Sequence, residues 1–238
     1  MKNMLNVIAM LLITSVVFLS AMNYMAENIS DFESLPLPPK KEKKVNKYIP
    51  HYPVIKVDAK SRDKWTLVDF STGKFHHVED PEKVENLDWD MAFQRTKVIT
   101  NGGATDSNGR VGVINKGSID IDEVTEAPES GYIQDTRAWG NIRNDAISGW
   151  YNYRTRTHNI ESQKNVYIVR TAEGQYMKIK ILNYYCKQDE SACATMMCGR
   201  EEAACLTIEY VFAPDGQRFF PSTPALPQAD NKLAQNLN

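Results

Sequence analysis

The alternation of apolar and polar residues is clearest between residues 87 and 100, where it has the period of two that is typical of a half-buried strand. Trp89, Met91 and Phe93 are expected on one face of this strand, and the residues between them on the other. The run Asn101-Gly102-Gly103 follows, and these residue types tolerate the positive φ angles of a tight turn. The pattern therefore predicts a core strand that enters a hairpin at residues 101–103.

Short alternating or apolar runs recur along the rest of the chain, each bounded by turn residues, and this is the pattern of antiparallel strands joined by hairpins. After residue 30, a helical period is suggested only at residues 80–87. The predicted fold class is mostly β, with a single antiparallel all-β domain preceded by one N-terminal transmembrane helix. The other predicted strands are residues 65–70, 74–79, 110–115, 118–124, 149–155, 166–171, 175–185 and 206–213.

An apolar run occupies the N-terminus. Residues 4–22 carry no charged side chain and would form a helix about 28 Å long, which is close to the thickness of a bilayer core. Residues 1–26 are therefore predicted to be an uncleaved membrane anchor. A cleaved signal peptide is the alternative, although the pattern of small residues around Ala21 and Ala26 suits cleavage poorly.

Composition divides the remaining chain into three parts. Residues 27–53 are rich in proline and lysine and are predicted to form an extended spacer. Residues 54–220 are long enough for one β domain with a substantial core, and residues 221–238 are predicted to be a flexible Pro-rich tail. The net charge of −2, with both signs interspersed, argues against nucleic acid as a partner, because nucleic-acid binding needs a basic surface.

The four cysteines are spaced symmetrically, at intervals of seven, five and seven residues. They lie between two predicted strands, so pairing of those strands would place Cys186 opposite Cys205 and Cys193 opposite Cys198. Two nested disulfides are therefore predicted in a Cys-rich arm at residues 186–205, as suits an exported chain. Zinc binding and free thiols are the alternatives, although structural zinc ligands are usually only about two to four residues apart.

Three stretches of the sequence resemble those of one known family. Residues 89–103, which read WDMAFQRTKVITNGG, resemble the signature of the HmuY family. Residues 65–74 are similar to its first strand and turn, and Gly149-Trp150 with residues 166–176 is similar to its penultimate hairpin. The resemblance covers residues 54–220. It implies an extracytoplasmic all-β protein, and it implies haem as a ligand because the founding members bind haem.

Haem iron requires imidazole or sulfur ligands in an apolar setting. The resemblance implies two ligand positions, one a few residues after Gly149-Trp150 and one before it, and neither is a histidine in this chain. His158 lies slightly further along and is the predicted single strong ligand, with Met177 assisting. Trp150 and Tyr153 are predicted to stack against the haem, and the alternative is that these aromatic residues belong to the core. No other metal site is predicted.

The familiar sequence motifs of nucleophilic, zinc-hydrolase and nucleotide-dependent enzymes are absent, so an enzyme is not expected. Two function classes stay open. The first is a membrane-anchored extracytoplasmic protein that binds haem or a related porphyrin. The second is an accessory subunit that docks on a larger membrane-protein complex without haem. In both, the β domain is expected to face the periplasm or the cell exterior, attached to the membrane through its N-terminal helix.

Overall fold

The computed structural model describes residues 2–30, 49–84, 88–193 and 195–222. The predicted spacer at residues 27–53 and the predicted tail at 221–238 therefore lie largely outside the described residues. The chain divides into two compact units, Met1–Asn46 and Lys47–Asn238. The first contains the N-terminal helix, and the second contains every strand of the described chain.

Helix α1 spans Lys2–Ser30 and includes the predicted apolar run. Its side chains between residues 10 and 25 are exposed, and most of the large ones are aliphatic. The hydroxyls of Thr14 and Ser15 donate hydrogen bonds of 3.0 and 2.9 Å to the carbonyls three residues earlier, so the helix satisfies these polar groups itself. Among the residues that the structure describes, no helix combines the length and the hydropathy needed to cross a membrane.

Thirteen strands are described in the second unit, and all of the paired strands are antiparallel. This confirms the mostly β, antiparallel part of the predicted fold class but not its transmembrane helix. The strands are β1 Val54–Asp58, β2 Trp65–Asp69, β3 Lys74–Val78, β4 Met91–Gln94, β5 Lys97–Thr100, β6 Gly112–Gly117, β7 Thr136–Ala138, β8 Asn141–Arg143, β9 Tyr151–Arg154, β10 Asn159–Ser162, β11 Val166–Arg170, β12 Tyr176–Tyr185 and β13 Ala203–Phe212.

Two larger sheets make up the core of this unit. One has five strands in the order β1-β13-β12-β11-β6, and the other has four in the order β3-β2-β4-β5. Val169 and Ile208 of the first sheet belong to the same buried cluster as Val68 and Phe93 of the second, so the sheets pack face to face. The hairpins β7–β8 and β9–β10 form separate two-stranded sheets.

The predicted core strand at residues 87–100 is in fact a hairpin, and the prediction of one strand ending at residues 101–103 was wrong. Strands β4 and β5 are joined by the two-residue turn Arg95-Thr96. Arg95 has a φ angle of 57°, and its N–H donates to the carbonyl of Ala59 at 2.8 Å. A tertiary contact thus holds a turn that contains neither glycine nor asparagine.

Residues 118–124 also differ from the prediction, because they include a 3-10 helix at Ile121–Glu123 instead of a strand. Asp120 caps this helix by accepting a hydrogen bond of 3.0 Å from the N–H of Asp122, while the Glu123 carboxylate accepts one of 3.1 Å from the N–H of Asp120. Such reciprocal capping competes with strand pairing. At residues 80–84 the structure has another short 3-10 helix, Pro81–Lys83, and residues 85–87 lie outside the described chain.

The buried carboxylate of Asp90 connects the two large sheets. Asp90 is 1% exposed, and one carboxylate oxygen accepts a hydrogen bond of 3.0 Å from the N–H of Phe70, directly after β2. The other accepts one of 2.9 Å from the N–H of Ala172, which follows β11 in the opposite sheet. Burial raises the pKa of Asp90 to about 6, although the two N–H donors oppose that shift.

Replacing Asp90 with asparagine is expected to lower the free energy of unfolding by about 1 to 3 kcal/mol at neutral pH, because an amide nitrogen would face an N–H donor. The difference in the free energy of unfolding between the wild type and this variant is expected to increase as the pH falls. Below about pH 6 the folded chain protonates Asp90, whereas the unfolded chain does so only near its ordinary pKa of 3.8. The wild-type protein therefore gains up to about 3 kcal/mol on acidification that the variant cannot gain. Urea unfolding across this pH range measures the difference.

Asp63→Asn is the matched control for this experiment, because Asp63 is exposed. It should change neither the stability nor its dependence on pH. Other buried acids contribute equally to the wild type and to each variant, so their effects cancel in the comparison. A constant difference between wild type and Asp90→Asn at every pH would contradict the assignment of the raised pKa to Asp90.

Candidate functional site

The hairpin β9–β10 presents His158 at its loop. Residues 155–158 connect the two strands, and the N–H of His158 donates to the carbonyl of Arg154 at 2.7 Å, which closes the loop. His158 has a φ angle of 56°, in the left-handed region that histidine adopts more readily than most residues. The imidazole is therefore placed by a defined turn at the end of the hairpin.

Tyr153 and His158 form an exposed pair on this hairpin. The phenol oxygen of Tyr153 and Nδ1 of His158 share a hydrogen bond of 2.5 Å, and the centroids of the two rings are 6.0 Å apart. Tyr153 is 53% exposed and His158 is also exposed. The contact fixes the imidazole through Nδ1, so Nε2 is the ring nitrogen left to bind a ligand. Two of the four predicted haem-binding residues thus lie together.

The other two predicted haem-binding residues, Trp150 and Met177, require correction. Both belong to the main buried cluster, with exposures of 1% and 0%. The indole N–H of Trp150 donates to the carbonyl of Thr96 at 2.9 Å, and Met177 pairs with Val169 and Phe212 across the sheet. Neither side chain can reach a ligand without opening the core, so we leave both out of the candidate site. Their role is packing.

An open cleft of about 340 Å³ adjoins the hairpin, within the size range of small-molecule sites. Tyr151 lines this cleft, and it lies two residues before Tyr153 on the same face of β9, at a spacing of about 7 Å along the strand. The cleft has mixed polar and apolar walls. Its other lining residues are Trp65, Glu79, Asp80, Pro81, Glu82, Thr96, Lys97, Val98, Ile99, Gly140, Asn141, Ile142, Arg143 and Ser148.

The second hairpin, β7–β8, supplies one wall of this cleft and was missed by the sequence analysis. Its base is fixed by Asp135, which is 4% exposed. The Asp135 carboxylate accepts hydrogen bonds from the N–H and the hydroxyl of Thr100 at 2.8 and 2.7 Å, from the hydroxyl of Thr105 at 2.5 Å and from the amide of Asn144 at 3.0 Å. Burial raises the pKa of Asp135, and these donors oppose the shift.

The Cys-rich arm contains one of the two predicted disulfides. Cys193 and Cys198 are bonded, whereas Cys186 and Cys205 are free thiols. The predicted outer bridge is absent, although the two thiols are neighbours. Bulges interrupt the pairing of β12 with β13, and the N–H of Cys186 donates to the carbonyl of Glu202. Burial and the neighbouring Cys186 thiol raise the pKa of Cys205.

The arm packs against the hairpin that carries His158, and Asn159 is the main connection. Asn159 is 6% exposed, and its amide donates to the carbonyls of Cys193 and Met196 at 2.9 and 2.8 Å. Its side-chain oxygen accepts from the N–H of Cys198 at 2.8 Å. All three contacts lie within the loop that the disulfide closes. The residue next to His158 is therefore held by the arm.

A second polar cluster joins His51, Asp120 and Asp122, whose potential ligand atoms lie within 4.8 Å of one another. The Asp122 carboxylate already accepts a hydrogen bond of 2.6 Å from the hydroxyl of Tyr52, and it lies 4.0 Å from the ammonium of the buried Lys178. A lysine and a tyrosine thus supply the partners that a cation would otherwise provide. We interpret this cluster as structural.

Two antiparallel sheets packed face to face, with two separate hairpins beside a surface cleft, define an all-β protein of the sandwich class. The family described as HmuY protein matches residues 61–198, which is more than half of the chain. The chain therefore belongs to the HmuY family, as its sequence motifs predicted. A comparison with curated proteins finds no significant match.

Solved structures share this fold. An apo HmuY analog from Tannerella forsythia has a TM-score of 0.50 at 16% identity, over 71% of this chain and 99% of that one. Apo PinO from Porphyromonas gingivitis also has a TM-score of 0.50 at 16% identity, over 67% and 96%. A Bacteroides vulgatus protein, proposed to be an HmuY-like heme binder, has 25% identity over 68% and 91%, but its TM-score of 0.47 is too low to support an argument.

Replacing Asn159 with alanine is expected to lower the free energy of unfolding by about 1 to 3 kcal/mol, because two carbonyls and one N–H of the disulfide loop lose their buried partner. Hydrogen exchange should also quicken at the N–H of His158, since the adjacent residue is no longer held. Asn152→Ala, an exposed substitution on the same hairpin, is the control and should change neither quantity. Equal effects from the two variants would contradict the role given to Asn159.

Proposed function

We propose that this protein binds haem or a related porphyrin on the surface formed by the hairpin β9–β10 and the adjoining cleft. The observation that supports this most directly is the exposed Tyr153–His158 pair, in a chain that belongs to the HmuY family. The proposed role is that of a binding protein and not of an enzyme. It relies on one strong ligand, His158, because Met177 is enclosed in the core.

The residues at the site fit such a group in their chemistry. Haem would supply an iron atom that an imidazole nitrogen can bind. His158 offers Nε2, and Tyr153 orients the ring through its contact with Nδ1, which is the usual function of a residue behind a metal ligand. Ile142 and Tyr151 give the cleft an apolar portion. Lys97 also lines the cleft and offers a positive charge for a carboxylate group of the ligand.

Haem titration followed by absorbance spectroscopy tests this proposal. The wild-type protein is expected to produce a shifted Soret band, and His158→Ala is expected to abolish the shift because the iron loses its protein ligand. Tyr153→Phe should weaken binding by about tenfold, because the imidazole loses the contact that orients it. His76→Ala, an exposed histidine on β3, is the matched control and should bind as the wild type does. A Soret shift that persists in His158→Ala would overturn the assignment.

A second candidate function is docking on a larger membrane-protein complex without haem. Met196 and Met197 favour it, because they are 62% and 44% exposed on the loop closed by the disulfide. Exposed methionines are adaptable contacts for protein partners. Absence of any spectral change in the wild-type haem titration, together with crosslinks from this loop to a membrane protein, would support docking over porphyrin binding.

We also propose that the β domain lies outside the cytoplasm and is held at a membrane by the N-terminal helix. The exposed aliphatic side chains of α1 support attachment, and the Cys193–Cys198 disulfide suits an oxidising compartment. After alkaline carbonate treatment of membranes, the full-length protein is expected to remain in the pellet. A variant that begins at residue 49 should appear in the soluble fraction. Release of the intact full-length chain by carbonate would contradict attachment by α1.

A further inference from the structure

The backbone conformation and the full exposure of Trp139 are not explained by any contribution to the stability of the fold. It forms the two-residue turn of the hairpin β7–β8 together with Gly140, and their φ angles are 52° and 77°. Turns with two positive φ angles favour asparagine or glycine at the first position, and a bulky residue there is strained. Trp139 is also 100% exposed, so no packing within the described chain offsets this strain. Strain of this kind is characteristic of binding sites.

The hairpin that carries Trp139 is firmly attached to the domain. Below the turn, the buried Asp135 accepts hydrogen bonds from Thr100, Thr105 and Asn144. Asn144 also donates to the carbonyl of Ile133 at 2.9 Å, on the other side of the hairpin base. Because the hairpin is fixed, ligand binding would order only the side-chain torsions of Trp139 and not the backbone that carries it.

The position of the turn relates Trp139 to the cleft. Gly140 and all three residues of β8 line the cleft, and Trp139 immediately precedes them. On another side the cleft is lined by Tyr151 of β9, the strand that leads to Tyr153. The turn that carries Trp139 therefore adjoins the wall of the cleft whose neighbouring hairpin carries His158. A ligand that contacts both hairpins must be broad enough to span the cleft, and a flat molecule can present one face to each hairpin.

We propose that Trp139 stacks on the face of a porphyrin bound at this cleft and thus recognises the macrocycle independently of its iron. This inference rests on the proposed function and adds a second element of recognition to it. An indole is the largest aromatic side chain, and its stacking suits a planar conjugated ring. His158 would recognise the metal, whereas Trp139 recognises the ring. Metal-free protoporphyrin IX should consequently bind without the contribution of His158, and more weakly than haem.

The test compares haem and metal-free protoporphyrin IX, each titrated into the wild-type protein, Trp139→Gly, Trp139→Phe and His158→Ala. Trp139→Gly should raise the melting temperature, because glycine relieves the strained φ angle. It should nevertheless weaken the binding of both porphyrins by about tenfold, and Trp139→Phe should have a smaller effect. His158→Ala should impair haem binding only. Phe219→Ala, which removes another exposed aromatic side chain, should alter neither affinity.

The outcomes separate this inference from the proposed function. Equal porphyrin affinities for the wild type and Trp139→Gly would overturn the role of Trp139 and leave porphyrin binding intact. Failure of the wild-type protein to bind either porphyrin would overturn both, and the exposed Trp139 would then suit a protein partner. A rise in melting temperature combined with weaker binding of both porphyrins supports the inference, because a merely structural residue cannot produce that combination.

Discussion

The fold depends on a carboxylate buried between two sheets. Asp90 accepts one hydrogen bond from the N–H of Phe70, directly after β2, and another from the N–H of Ala172, two residues after β11, so a single side chain connects strands that share no ladder. Its burial is unfavourable for the charged form and raises its pKa to about 6. The arrangement is stable only because both oxygens are satisfied. The packing of Met91 and Phe93 around Asp90 is consequently fixed in register.

The same device recurs at both hairpins of the candidate site. Neither hairpin belongs to a large sheet, and each is attached by a buried polar side chain, which lies at the base of β7–β8 and directly after the turn of β9–β10. Asp135 binds the first hairpin to β5 and the following loop, and Asn159 binds the second to the disulfide loop. Because each hairpin is attached through side chains, its strands pair only with each other and with no described strand of a large sheet. The turn residues Trp139 and His158 are both exposed.

Sequence reasoning succeeded where local chemistry decides the structure. The turn after β2 was predicted from Ser71-Thr72-Gly73, and its hydroxyls indeed bond to Asp69. Sequence reasoning failed where contacts between residues far apart in the chain determine the local structure. The Arg95-Thr96 turn has no local signal and depends on a hydrogen bond to Ala59. Met177 was predicted to assist haem binding but is enclosed in the core, and no periodicity distinguishes a core position from a ligand pocket. The bulges that shift the register of β12 against β13 before Cys186 are likewise invisible in residue spacing.

Strained backbone at exposed residues indicates function, whereas buried residues are explained by packing. Trp139 and His158 both adopt positive φ angles, and each lies in the turn of one of the two hairpins. Both side chains are exposed, so neither contributes the burial that would offset an unfavourable backbone. Buried side chains provide the stability of the hairpins instead: Asp135 acts at the base of β7–β8, and Asn159 acts directly after the turn of β9–β10. Because other residues stabilise the hairpins, the turns can tolerate a strained backbone. Trp139 and His158, whose backbone conformations the stability of the fold does not explain, have the side-chain chemistry that a flat, metal-containing ligand requires.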